Sequence, residues 1–262
     1  MCSVKPFDIA SLGSEDLTRL FNETNSYMQN IRIEVVANSG GSPSKEEHPA
    51  TTIGLAIGNP AVQFADSLDK GERIEAIAHE LGHLLLVYRF GLGVIGRRIP
   101  RYGNREDIFK YFMSMRGDWV YLLGQIANTA HHLILVDYLK EEYGIEDSLH
   151  IYLLHQNFCV AVNDNTRDKE SQYGKGIVAF EYEKFIGNVN RVINNYPQTE
   201  FFWKAYHVAQ KHFGQYSFQS IPTRSSYEED ILSFLEGLDY QREDFLFFSG
   251  EMGDSKKPKK IT

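Results

Sequence analysis

Apolar residues recur at helical spacing along most of the chain and alternate at strand spacing only near its start. Between Ser14 and Asn30, Leu17, Leu20, Phe21 and Met28 fall on one stripe, and Ser14 stands where an N-cap belongs. Ile31 to Val36 alternates and is rich in β-branched residues, which predicts a strand. Asn38 to Pro49, rich in Gly, Ser, Pro and charge, predicts a connection. Thr51 to Ile57 predicts a second strand, ended by Gly58-Asn59-Pro60. Lys70 to Phe90 predicts the central helix, with Ile74, Ile77, Ala78, Leu81, Leu85 and Tyr88 as its core stripe. Leu84, Leu86 and Val87 make its second half apolar nearly all round, the mark of a buried element.

After a Gly/Arg/Pro loop from Gly91 to Arg105, Asp107 to Met115 predicts a short helix. Asp118 to Tyr143 predicts a long one, stopped by Gly144, with a core face of Trp119, Leu122, Leu123, Ile126 and Ala130. The rest reads as mostly helical. Tyr182, Phe185, Ile186, Val189 and Ile193 form one stripe, and Thr199 to His212 forms another helix. Ser226 to Leu238 forms a third, with Ser225 and Glu228 as a capping box. Polar Asn163 to Lys175 predicts a loop, and the lysine-rich end a disordered tail.

Three polar residues break the apolar central helix: His79, Glu80 and His83. Burying them costs free energy unless something pairs with them. Histidines at i and i+4 lie one above the other on one helix face, so both imidazoles can bind one metal ion. A carboxylate beside the first ligand then reaches water at that metal. This is the His-Glu-x-x-His arrangement of zinc hydrolases. A catalytic zinc takes three protein ligands, so a third must come from elsewhere. Asn128 and His132 stand at i and i+4 on the second long helix, which makes His132 the leading candidate. His131, Glu106 and Asp107 are the alternatives. His150, His155, His207 and His212 read as structural or surface residues.

Composition narrows the chemistry further. A net charge of −8 over 262 residues argues against a nucleic-acid partner. Two distant cysteines, Cys2 and Cys159, supply neither a disulfide framework nor a thiolate zinc site. No stretch approaches a membrane span and the N-terminus lacks the apolar run of a signal peptide, so the expected location is cytoplasmic. Gly91-Leu92-Gly93-Val94-Ile95-Gly96 formally matches a dinucleotide fingerprint but follows a helix, so it reads as a C-cap and turn. Arg97, Arg98 and Arg101 beside it read as solvated.

With these residues in view, the chain resembles the zincin-type metallopeptidases, whose zinc signature is matched by His79-Glu80-Leu81-Gly82-His83. The downstream helix resembles the gluzincin layout, except that histidine stands at position 132 where that group has glutamate. The metzincin extension is absent, since Leu86 and Arg89 occupy its glycine and histidine positions. The likeness covers roughly residues 50 to 143. It implies an α+β, predominantly helical fold: a zincin-like catalytic domain over 1–145 with a small N-terminal sheet and two metal-bearing helices. A helical part over 146–248 packs on it, followed by a tail over 249–262. It also implies one zinc per chain, a peptide or protein substrate, and Glu80 as general base. Asn128 would orient a ligand or tether the helices, and Glu75 is a candidate acceptor for the His79 ring N–H. His131, Tyr88, Tyr111 and Tyr121 are candidates to assist the oxyanion. The strand Thr51–Ile57 would pair with substrate backbone. Hydrolysis of a non-peptide amide or ester is one alternative; a binding or regulatory protein with a silent zinc site is another. Oligomeric state is not legible in the sequence.

Overall fold

A computed structural model describes residues 4–37, 49–53, 60–97, 117–163, 168–193 and 198–248. The expected helix over 107–115, the ligand candidates Glu106 and Asp107, Tyr111, the arginines 98 and 101, and the tail over 249–262 lie outside the described residues. The chain is mostly helical with a small mixed sheet.

Helices begin where the sequence places a cap. Helix α1, Glu15–Tyr27, starts at Ser14, whose hydroxyl accepts from the Leu17 amide at 3.2 Å. Helix α2, Lys70–Arg89, starts at Asp69 with a full capping box: Asp69 accepts from the Glu72 amide and Glu72 from the Asp69 amide, each at 2.9 Å. Helix α3 is Gly117–Tyr143, and Gly144 behind it takes a positive φ of 65°. Helices α4 (Ser148–Asn163), α5 (Lys169–Phe185), α6 (Asn190–Ile193), α7 (Glu200–Phe213) and α8 (Arg224–Gly237) complete the described helical part.

The sheet has the order β1-β2-β4-β3, where β1 is Val4–Pro6, β2 Arg32–Val36, β3 Ala50–Ile53 and β4 Ala61–Ala65. β4 runs parallel to β2 and antiparallel to β3, which leaves β3 at the edge. The sequence reading missed β4, because both of its faces are covered and no alternation shows. A second, two-stranded sheet pairs β5, Val94–Arg97, with β6, Phe245–Phe248. β5 lies in the stretch expected to be a loop. Its pairing partner is about 150 residues away, beyond the reach of a local pattern.

Three further expectations are corrected. Residues from 169 to 175 are helical: Asp168 caps α5 through the Ser171 amide at 2.7 Å, and Gln172 and Lys175 are buried polar residues of that helix. The stripe from Tyr182 to Ile193 is broken after Phe185, where Gly187 takes a φ of 131°; Val189 and Ile193 reach the core from a separate turn. Helix α8 is capped by Thr223, not by Ser225 and Glu228.

One hydrophobic core runs from Ile9 through α2 and α3 to Phe245, and crosses residue 145 without a break. At its centre α2 packs against α1, β4, α3 and α4. Gly82 lies where α3 comes closest: a Cβ there would meet Leu135 Cδ1 at 2.2 Å. The neighbour that excludes a side chain is thus itself a side chain rather than a backbone. The helix tolerates the roughly 1 kcal/mol propensity cost of glycine in exchange for that packing.

Candidate metal centre

Helix α2 presents His79 and His83 one turn apart on the face turned toward α3 and α4. Their Nε2 atoms lie 3.1 Å apart. Helix α3 brings His132 against them, with its Nε2 3.2 Å from that of His83. Among the described residues, the three form one of two groups whose ligand atoms all lie within 4.8 Å of one another; the other is His132, His150 and Glu181.

The protons on these rings follow from their partners. His79 Nδ1 lies 2.8 Å from Asp147 Oδ2, and His132 Nδ1 lies 2.6 Å from Glu181 Oε1. An ionised carboxylate only accepts, so both Nδ1 atoms carry hydrogen and, in the neutral rings, both Nε2 atoms carry a lone pair. His131 Nε2 lies 2.9 Å from the Leu92 carbonyl oxygen, which also only accepts. In the neutral ring His131 Nδ1 is then an acceptor, and His83 Nδ1, 3.1 Å away, donates to it. His83 Nε2 is therefore a third lone pair. Three lone pairs point into one space. A single added proton bridges one pair of nitrogens, whereas one cation satisfies all three.

Burial favours the neutral ring at His83, His131 and His132, whereas His79 is drawn the other way by its carboxylate. Burial, together with the neighbouring His79 and His132, holds His83 well below the ordinary histidine range. Burial lowers His131 to about 4, and burial with the nearby His150 lowers His132 to about 4. Burial also lowers His79, but Asp147 more than offsets it and the net shift is upward. Burial raises the Asp147 and Glu181 carboxyls, yet the histidines they face bring both below the usual range, so both are ionised.

Glu80 is tied to the sheet. Its Oε2 accepts from Thr52 Oγ1 of edge strand β3 at 2.7 Å. The histidines, Glu80 and residues 49–52 together line a cavity of about 740 Å³.

Several sequence-assigned residues take other places than expected. His131 accepts from His83 through Nδ1 and donates to the Leu92 carbonyl through Nε2, and does not join the convergence. Asn128 is exposed on the cavity wall and makes no hydrogen bond to the imidazoles. Glu75 does not accept from His79; its Oε2 accepts from the Leu149 amide at 2.7 Å and so caps α4. Asp147, just before α4, is thereby free to orient His79. Tyr121 lines the cavity, while Tyr88 is half-buried away from its wall.

The residues that sequence reasoning missed are Asp147, Glu181 and His150. Glu181 had a signal: it is a single acid within the apolar run Ile177 to Tyr182. A buried charge of that kind requires partners, and it has three. Oε1 accepts from His132 and, at 3.1 Å, from His150 Nε2, while Oε2 accepts from Thr129 Oγ1 at 2.5 Å. His150 was read as structural, yet its ring centroid lies 4.1 Å from that of His132 and 4.9 Å from that of His79. Residues from both sides of position 145 thus build a single site.

No described protein family, no curated protein and no solved structure matches the chain. Among the described residues, no helix is long and apolar enough to cross a membrane.

Proposed function

We propose that the protein is a zinc-dependent metallopeptidase in which His79, His83 and His132 hold the metal and Glu80 moves the proton. The observation that carries this reading is the convergence of three unprotonated Nε2 atoms, each fixed by a partner on its other nitrogen. Nitrogens at the corners of a tetrahedron, ~2.0–2.1 Å from a zinc ion, lie ~3.3 Å apart. The two separations from His83 Nε2, 3.1 and 3.2 Å, lie close to that edge. An all-imidazole donor set without thiolate suits zinc among the common metals, and Asp147 and Glu181 supply the carboxylate–histidine pairing typical of its ligands.

Bound there by three neutral imidazoles, zinc would polarise the substrate carbonyl and lower the pKa of water to about 7. Glu80 supplies the proton relay. Thr52 occupies its Oε2, which leaves Oε1 to take the proton of the attacking water. The same carboxyl then gives that proton to the amide nitrogen as the C–N bond breaks, so the residue ends as it began. Strand β3 borders the cavity and, among the described residues, pairs only with β4. Its free edge supports a peptide bound as an added strand, which is why peptides are favoured over other amides.

The test is direct. Zinc-loaded protein is incubated with a mixed peptide pool and new termini are read by mass spectrometry. Cleavage that a chelator stops and zinc restores supports the proposal. A zinc-loaded protein that generates no new peptide terminus contradicts it.

A further inference from the structure

The five clustered histidines have nearly all their ring nitrogens assigned. The Nε2 atoms of His79, His83 and His132 converge, and their Nδ1 atoms are held by Asp147, His131 and Glu181. His131 is bonded at both nitrogens. His150 Nε2 is held by Glu181 Oε1. One nitrogen is left over: His150 Nδ1, which has no hydrogen-bond partner among the described residues.

Its setting gives that nitrogen a role. His150 lines the cavity with its side chain 14% exposed, whereas the Glu181 side chain behind it is 2% exposed. The ring packs against His79 and His132, so it stands beside the reacting centre. Phe185 closes the other side with ring centroids 6.3 Å apart. Glu181 can only accept, so His150 Nε2 carries hydrogen and, in the neutral ring, Nδ1 presents a lone pair. An acceptor on a cavity wall that meets no protein donor is matched by a donor on the ligand.

We propose that His150 contacts the substrate: its Nδ1 accepts a hydrogen bond from a backbone N–H of the bound peptide beside the reacting carbonyl. Glu181 then serves two purposes, since one carboxylate oxygen orients both a metal ligand and the amide-reading ring. The consequence is a preference for amides over esters. A site built to bond an N–H rejects the analogue that lacks it, by about 10- to 100-fold for one hydrogen bond. This inference rests on the peptidase reading of the same site.

The experiment compares the binding of two probes to the zinc-loaded full chain. One is a peptide phosphonamidate; the other is the phosphonate ester with oxygen in place of its N–H. The wild type should bind the phosphonamidate about 10- to 100-fold more tightly. His150→Phe keeps the stacking and removes both nitrogens, and His150→Ala is a second variant. In both, the ratio should fall toward one with zinc content unchanged. A wild-type ratio near one, or a ratio unaltered in both variants, would overturn the proposal, as would a wild type that binds neither probe. Failure of the peptidase reading would show elsewhere, as zinc-loaded wild type that cleaves no peptide.

Discussion

Glu80→Gln is expected to bind zinc as the wild type does and to lose hydrolysis by about 10²- to 10⁴-fold, the range for removal of a general base. Glutamine keeps the shape of the side chain and can still accept from Thr52 through its amide oxygen, at the 2.7 Å contact seen for Glu80 Oε2. It has no carboxylate to take a proton from water. The fold should be untouched, because Glu80 is only half-buried and contributes no core contact. The measurement pairs metal content with turnover on a cleaved peptide. A variant with full activity would remove Glu80 from the mechanism and leave the three histidines without a base.

His132→Ala is expected to lower zinc affinity by more than the 10- to 100-fold typical of losing an outer partner, because it deletes one of the three proposed ligands. His131→Ala should fall within that smaller range. Among the described residues, His131 bonds His83 Nδ1 and the Leu92 carbonyl, so its loss would loosen His83 without removing it. Competition titration against a chelator of known affinity separates the two variants. Unchanged affinity in His132→Ala would move the third ligand elsewhere. His132→Ala should also lower thermal stability without metal. Glu181 would lose one of its three donors in a buried setting, at a cost of about 1–3 kcal/mol.

The parts of this site legible in the sequence are those written at helical spacing. His79 and His83 are one turn apart, and a polar group inside an apolar helix asks for a partner. His132 is visible for the same reason on α3, along with the cap at Ser14. What the sequence hides is set by tertiary approach. Asp147 lies 68 residues from His79 and Glu181 lies 49 from His132, so no local periodicity connects them. Glu75 illustrates the limit. It sits one turn before His79 and looks like the obvious partner, but α4 arrives with an open N-terminus and takes it. β4 was invisible because a strand covered on both faces has no alternation, and β5 because its partner β6 is near the far end of the chain. His150 carries no sequence signal of its own. The shared carboxylate of Glu181 and ring packing on His79 and His132 place it beside the converging imidazoles.

The central claim is that three imidazoles hold one zinc ion, and X-ray absorption at the zinc edge tests it most directly. Protein purified without added metal should contain about one zinc per chain, with three imidazole nitrogens at ~2.0–2.1 Å and one oxygen ligand from water. Absence of zinc that persists after reconstitution, or a shell dominated by carboxylate oxygen or sulfur, would contradict it.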